Sequence, residues 1–277
     1  MGLGGAPIHQ FELSCCRMAV ASTPASDDMP TVAACGVLSA TLAAILHEAV
    51  GHGLGCYADG GIVTLLTSIW FRCRGASTLT DAGGPLASLL GGAIGLALLR
   101  RRRIDGGLRL TLTLFTAFSL FWFSGQLISH AATNHDDWAI IAHRLQWPSW
   151  WRLGAVALGV ALYGTTIWLI VRTLRGQGPL RSNAIRGGYA AGACSAAVAG
   201  LMWGAMPIRS AVEGVLTLGV APLGLLFIAA ATRQHSADIV SVQRSIFLLA
   251  LSSVLFLGFL LTQGRGLGQL AGTGFAN

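Results

Sequence analysis

The chain has 277 residues, of which 53% are hydrophobic and only 10% charged, against roughly 25% charged in an ordinary soluble domain. With a mean hydropathy of +0.65 there is too little charge to cover a water-facing surface. This excludes a soluble enzyme, a nucleic-acid binder and a disordered chain, and leaves a polytopic membrane protein. The formal net charge is +7 and all 18 basic residues are Arg, an excess read as topology signal and lipid-headgroup contact.

Residues 1–31 read as a flexible tail with no basic-then-apolar leader pattern, and Met18 and Met29 are alternative starts. Apolar stretches of membrane-crossing length follow at 32–55, 83–100, 109–132, 152–174, 187–205, 211–231 and 245–263. The fifth and sixth are rich in Gly and Ala and are interrupted by Pro207 and Pro222, so six spans are the fallback count. After the first span, Gly60-Gly61 leads into the β-branched run Ile62–Phe71, which predicts a small hairpin or re-entrant strand. The expected fold is an all-α polytopic integral membrane protein of 6–7 transmembrane helices with that β element after the first helix. Residues 32–142 would form a core and 143–277 additional helices. Gly91 with Gly95, and Gly188 with Gly192, have the four-residue spacing of close helix packing in lipid. Trp147, Trp150 and Trp151 read as an interfacial belt.

Arg100–Arg103, Arg109, Arg172, Arg175, Arg181, Arg186, Arg233 and Arg244 fall on one side of a seven-span chain, together with the N-terminal tail. The opposite loops carry Arg72, Arg74, Arg144, Arg152 and Arg209. The positive-inside rule then places the N-terminus in the cytoplasm. Cys56 and Cys73 would face outward, as a disulfide or as two thiols. Cys35 and Cys194 lie in apolar spans and read as small buried hydrophobes, while Cys15 and Cys16 lie in the tail.

The chemistry concentrates in His47-Glu48-Ala49-Val50-Gly51-His52 at the end of the first span. Ionisable groups at membrane depth face a partner or a cavity. Two His with a Glu are what a zinc hydrolase needs, the imidazoles for the ion and the carboxylate for the proton of the attacking water. The usual HExxH spacing puts its two His at i and i+4 on one helical face, whereas here they stand at i and i+5. On a regular helix that turns the imidazoles roughly 140° apart. One inserted residue, taken up as a π-bulge at Gly51, would make them converge. The dipeptidyl peptidase III zinc peptidases are built on the same HExxxH spacing.

A third donor is expected from the end of the third span, His130-Ala131-Ala132-Thr133-Asn134-His135-Asp136-Asp137-Trp138. The first and third spans run parallel, so an Asp from this run reaches His47 and His52. Asp136 and Asp137 would point about 100° apart on a helix, so one of them ligates. Asp137 is favoured, Asp136 is the alternative and His135 a competitor. Against this stands a solvated helix C-terminus bearing both acids. Gln126 and Asn134 are candidate supporting donors.

These motifs resemble the site-2 protease (M50-like) intramembrane metallopeptidases over about residues 32–142. His47-Glu48 with His52 is similar to that family's metal-binding helix, and Gly60–Phe71 to the β-rich region after it. Asp81-Ala82-Gly83-Gly84-Pro85 is similar to the small-residue AGP-type opening of its second helix, and Asp136/Asp137 stands where it supplies an Asp ligand. The resemblance implies that His47, His52 and one Asp bind Zn2+, with Glu48 as general base. It also implies hydrolysis of a peptide bond in or near the bilayer, the substrate lying extended along Gly60–Phe71 by strand addition. The expected partners are membrane lipids and a membrane-protein or peptide substrate, with no nucleic acid. The expected location is a bacterial inner (plasma) membrane. The alternatives are a metal-ion transporter or chaperone using the same ligands, a non-catalytic membrane protein keeping the fold, and a zinc hydrolase acting on a lipid amide.

Overall fold

The computed structural model describes residue 1 and residues 26–101, 104–232 and 239–268. The expectations for most of the tail, including Cys15, Cys16 and Met18, and for Arg102, Arg103 and Arg233 lie outside them. Helix α1 spans Met29–Ala58. Its first turn is set by Asp28, whose carboxylate accepts from the Thr31 amide at 3.0 Å and its hydroxyl at 2.6 Å, a standard N-cap. A hairpin of β1 (Ile62–Leu66) and β2 (Phe71–Arg74) follows, antiparallel and irregular between Val63 and Leu65. Then come α2 (Thr78–Leu99), capped by Ser77, and α3 (Gly106–Thr133), capped by Asp105. The remaining helices are α4 (Asp137–Arg144), α5 (Trp151–Gln177), α6 (Ser182–Leu201), α7 (Pro207–Thr232, irregular around Pro222) and α8 (Ile246–Gly264).

Among the described residues six helices are long and apolar enough to cross a membrane: α1, α2, α3, α5, α7 and α8. The fifth predicted span, 187–205, corresponds to α6, which is not one of the six. Its 20 residues, including Asn183 and Arg186, still reach about 30 Å, and it returns between the ends joined by α5 and α7. It packs against α1 so closely that a Cβ at Gly36 would stand 2.9 Å from the Gly188 Cα. A Cβ at Gly192 would meet Phe118 at 2.6 Å. Gly91 and Gly95 likewise face Leu46, Phe115 and Thr116, so both predicted small-residue pairs lie at helix contacts. Cys35 is buried but Cys194 is exposed, a correction to the second of those expectations. Its position on α6 turns away from the core.

The two ends of the bundle differ. At one end Arg109, itself buried, donates to the carbonyls of Gln177 and Gly178, and Gln177 donates to the Arg100 carbonyl. At the other lie the hairpin, α4 and the start of α5, where Arg152 caps α3 through the Ala131 and Ala132 carbonyls. Leu66 on the outer edge of β1 exchanges backbone hydrogen bonds of 2.9 and 2.8 Å with Leu267. Thr67 and Ser68 at the hairpin tip are buried. The start of β1, at Ile62 and Val63, is by contrast exposed. Cys56 and Cys73 form a disulfide, Cα–Cα 5.9 Å, tying the end of α1 to β2.

Candidate metal centre

The end of α1 is wound as a π-helix over Ile45–His52. Bonding from i to i+5 stacks residues five apart, so His47 and His52 converge, with ring centroids 4.9 Å apart. The wide turn includes Gly51, the expected position, and it lies against a matching gap in α2. A Cβ on Gly51 would be 2.5 Å from the Gly83 carbonyl oxygen, and one on Gly84 would be 2.3 Å from His52 Nε2. The paired glycines Gly83 and Gly84 let the second helix approach the imidazoles.

His52 Nδ1 stands 2.8 Å from the Thr80 carbonyl. A carbonyl only accepts, so Nδ1 carries the proton and Nε2 presents its lone pair inward. His47 Nδ1 is 2.9 Å from Ser88 Oγ, and its ring stacks on Trp122 at 4.1 Å. Phe71 of β2 stacks on His52 at 5.4 Å. Asp137 closes the set, with its carboxylate oxygens 3.7 Å from His47 Nε2 and 3.6 Å from His52 Nε2. One donor atom from each of the three residues lies within 4.8 Å of the others. Donors about 2.1 Å from a shared tetrahedral ion stand about 3.4 Å apart, so the group could hold a metal ion with small adjustments.

Gln126 of α3 donates through Nε2 to Asp137 Oδ2 at 3.1 Å and faces His47 Nε2 at 3.4 Å. Glu48 is 4% exposed beside His47, with His52, Asp137 and Asp136 as its charged neighbours.

The acid pair does not end the third span as expected. Helix α3 stops at Thr133 on a left-handed Asn134, φ 58°. Asp136, with φ 69°, precedes the first residue of α4, which is Asp137. The two acids therefore do not share a helix. Asp137 sits at a helix N-terminus, where the backbone dipole favours an anion, rather than at an unfavourable C-terminus. Burial pushes the Asp137 carboxyl up, but the facing imidazoles of His52 and His47 hold it below the ordinary value. Asp136 points instead to His130 at 3.8 Å and is largely exposed. His135 is exposed and outside the cluster.

Thr80 and Trp122 were not singled out in the sequence, and Gly84, Ser88 and Phe71 were noted only as parts of the second-helix opening and of the strand, not as neighbours of the imidazoles. Gly84, Ser88, Gly91 and Gly95 recur at four, three and four residues, which is one face of a helix. That small-residue stripe marked the face of α2 turned toward α1 and α3.

A scan against protein-family models finds no match, and neither the curated proteins nor the solved structures yield a similar chain. Fold and site together define a helical protein with membrane-length helices and a His47-His52-Asp137 group able to hold a metal ion.

Proposed function

We propose that this protein is a membrane-embedded, metal-dependent peptidase of the site-2 protease type. The observation that carries the reading is the π-turn at Ile45–His52, which directs both imidazoles to one point beside Asp137 and keeps Glu48 buried alongside. His47, His52 and Asp137 would hold the ion, and two imidazoles with one carboxylate are a donor set of catalytic zinc sites, so Zn2+ is the ion proposed. When bound, such an ion supplies Lewis acidity to a carbonyl and to a water. Glu48 accepts the proton of the attacking water and returns it to the leaving amine. Thr80 and Ser88 hold the two rings in orientation, and Gln126 holds Asp137.

The substrate lies extended beside the hairpin. Leu267 already pairs with β1 on its outer edge. The substrate strand therefore runs along β2, whose Phe71 stacks on His52. The arginine-rich end carries Arg100, Arg101, Arg109, Arg175, Arg181 and Arg244 and faces the cytoplasm with the N-terminus, while the metal centre opens on the opposite side. The Cys56–Cys73 disulfide beside the centre supports an oxidising exterior such as that outside a bacterial inner membrane.

The test is Glu48→Gln in the purified full-length protein, with bound metal and peptide hydrolysis measured together. The variant should keep near-stoichiometric metal and lose hydrolysis by roughly 100-fold or more. Undiminished hydrolysis overturns the role of Glu48. Metal-dependent ion flux without hydrolysis identifies a transporter, and wild-type protein without bound metal identifies a non-catalytic partner.

A further inference from the structure

The three donors of the metal centre come from two separate helices. Both imidazoles belong to α1, and both are oriented from α2, through the Thr80 carbonyl and the Ser88 hydroxyl. Asp137 belongs to α4, an eight-residue helix about 12 Å long. It is joined to α3 through a short link in which Asn134 and Asp136 have φ of 58° and 69°. The apolar side of α4, Ala139 and Ala142, packs with Ala131 and Trp151. These contacts hold its apolar side to α3 and α5, while its backbone also runs close beside α2.

At the far end of α4 a polar contact crosses to α2. Arg144 Nε is 3.1 Å from Asp81 Oδ2, and its guanidinium also donates to the Ala76 carbonyl at 2.6 Å. Each charge is at the favourable end of its helix, Asp81 in the first turn of α2 and Arg144 in the last turn of α4. Asp81 is mostly buried, and its other charged neighbours include Asp137 and His52.

We propose that Arg144, paired with Asp81, is a positioning residue for the metal centre: it latches the far end of α4 to α2, so that Asp137 is presented to His47 and His52 in the register set by α2. The proposal rests on the metal-centre reading above. Without the pair, α4 keeps its packing but loses the polar contact that fixes its register on α2, and Asp137 loses its fixed distance to the imidazoles. A partly exposed ion pair adds little to folding by itself. Its effect is on the precision of the third donor, and it appears in metal affinity more than in stability.

The experiment titrates the purified full-length protein with Co2+, reading affinity and the visible d–d spectrum, and records the melting temperature of the metal-free protein. Arg144→Gln should weaken Co2+ binding roughly tenfold, as loss of an outer support does, and should change the d–d band. Asp81→Asn, a milder change that covers the case of a poorly folding Arg144 variant, should do the same. The exchange Asp81→Arg with Arg144→Asp should recover much of the lost affinity. Wild-type affinity and spectrum in both single variants, with only the melting temperature lowered, overturns the latch and leaves the metal centre standing. Absence of Co2+ binding by the wild-type protein overturns the metal centre and the latch with it.

Discussion

A methyl group at position 84 would stand 2.3 Å from His52 Nε2 and 2.6 Å from His47 Nε2, closer than a ligand-bearing nitrogen tolerates. Gly84→Ala should therefore cost roughly 10- to 100-fold in metal affinity, read by Zn2+ or Co2+ titration. An alanine variant that binds metal as the wild type does would remove Gly84 from the architecture of the centre. That His47, Glu48 and His52 call for a partner or a cavity was legible because ionisable side chains inside an apolar span have few structural uses. Ser88 and Thr80 were not legible. One is an ordinary hydroxyl on a small-residue face, and the other acts through its backbone carbonyl, which carries no sequence signature. Gln126 lay between, singled out as a supporting donor, with its target set only once α3 and α4 were folded together.

At the scale of elements, the π-turn over Ile45–His52 matches the five-residue spacing of the imidazoles, which share a face only on a widened turn. The break between α3 and α4 was misread because His130–Trp138 carries no Gly or Pro, the usual marks of a helix end. The left-handed conformation of Asn134 ends the helix instead. Asp59 joins the elements around the centre. It follows α1 and accepts from the Ser77 hydroxyl at 2.7 Å and the Thr80 hydroxyl at 2.5 Å in the opening turn of α2. These hydroxyls, Thr80 first, hold its carboxyl below the usual carboxylate range. A depressed folded-state pKa gives stabilisation that is complete above the unfolded value and is lost as pH falls toward the folded one. Asp59→Asn should lower the melting temperature at neutral pH, and the difference from wild type should narrow below about pH 4. A difference of constant size down to pH 3 would show that the charge is not what joins the helices. Because Thr80 also supplies the carbonyl that orients His52, the same variant should weaken metal binding.

At the scale of the molecule, seven long helices among the described residues run between two chemically distinct ends, six of them apolar enough for lipid. The seventh, α6, owes its place to close packing against α1 at Gly36 and Gly188. The disulfide bridges a sequence separation of 17, and closing such a loop is worth about 3 kcal/mol through the unfolded chain. Replacing Cys56 and Cys73 together by Ser should lower the melting temperature in detergent, and reductant should lower that of the wild type to match. Equal melting in all three conditions would mean that the bridge does not constrain the fold. Topology is a further test. A thiol-reactive, membrane-impermeant label should reach Cys placed at exposed Tyr57 from outside intact cells but not Cys placed at Arg181, and the reverse pattern would invert the orientation argued from arginine.

Composition alone determined that this is a helical chain suited to lipid, because so few charged residues cannot cover a water-facing surface. Local spacing determined that two imidazoles and a carboxylate stand within six residues, so that only a widened turn could bring the imidazoles together, because periodicity is a property of neighbouring residues. Only the tertiary structure decided which acid faces those imidazoles, which hydroxyl and carbonyl orient them, and that Leu267 lies along β1. Those pairings join residues tens to hundreds of positions apart, and helix packing, rather than any local pattern, brings them within reach.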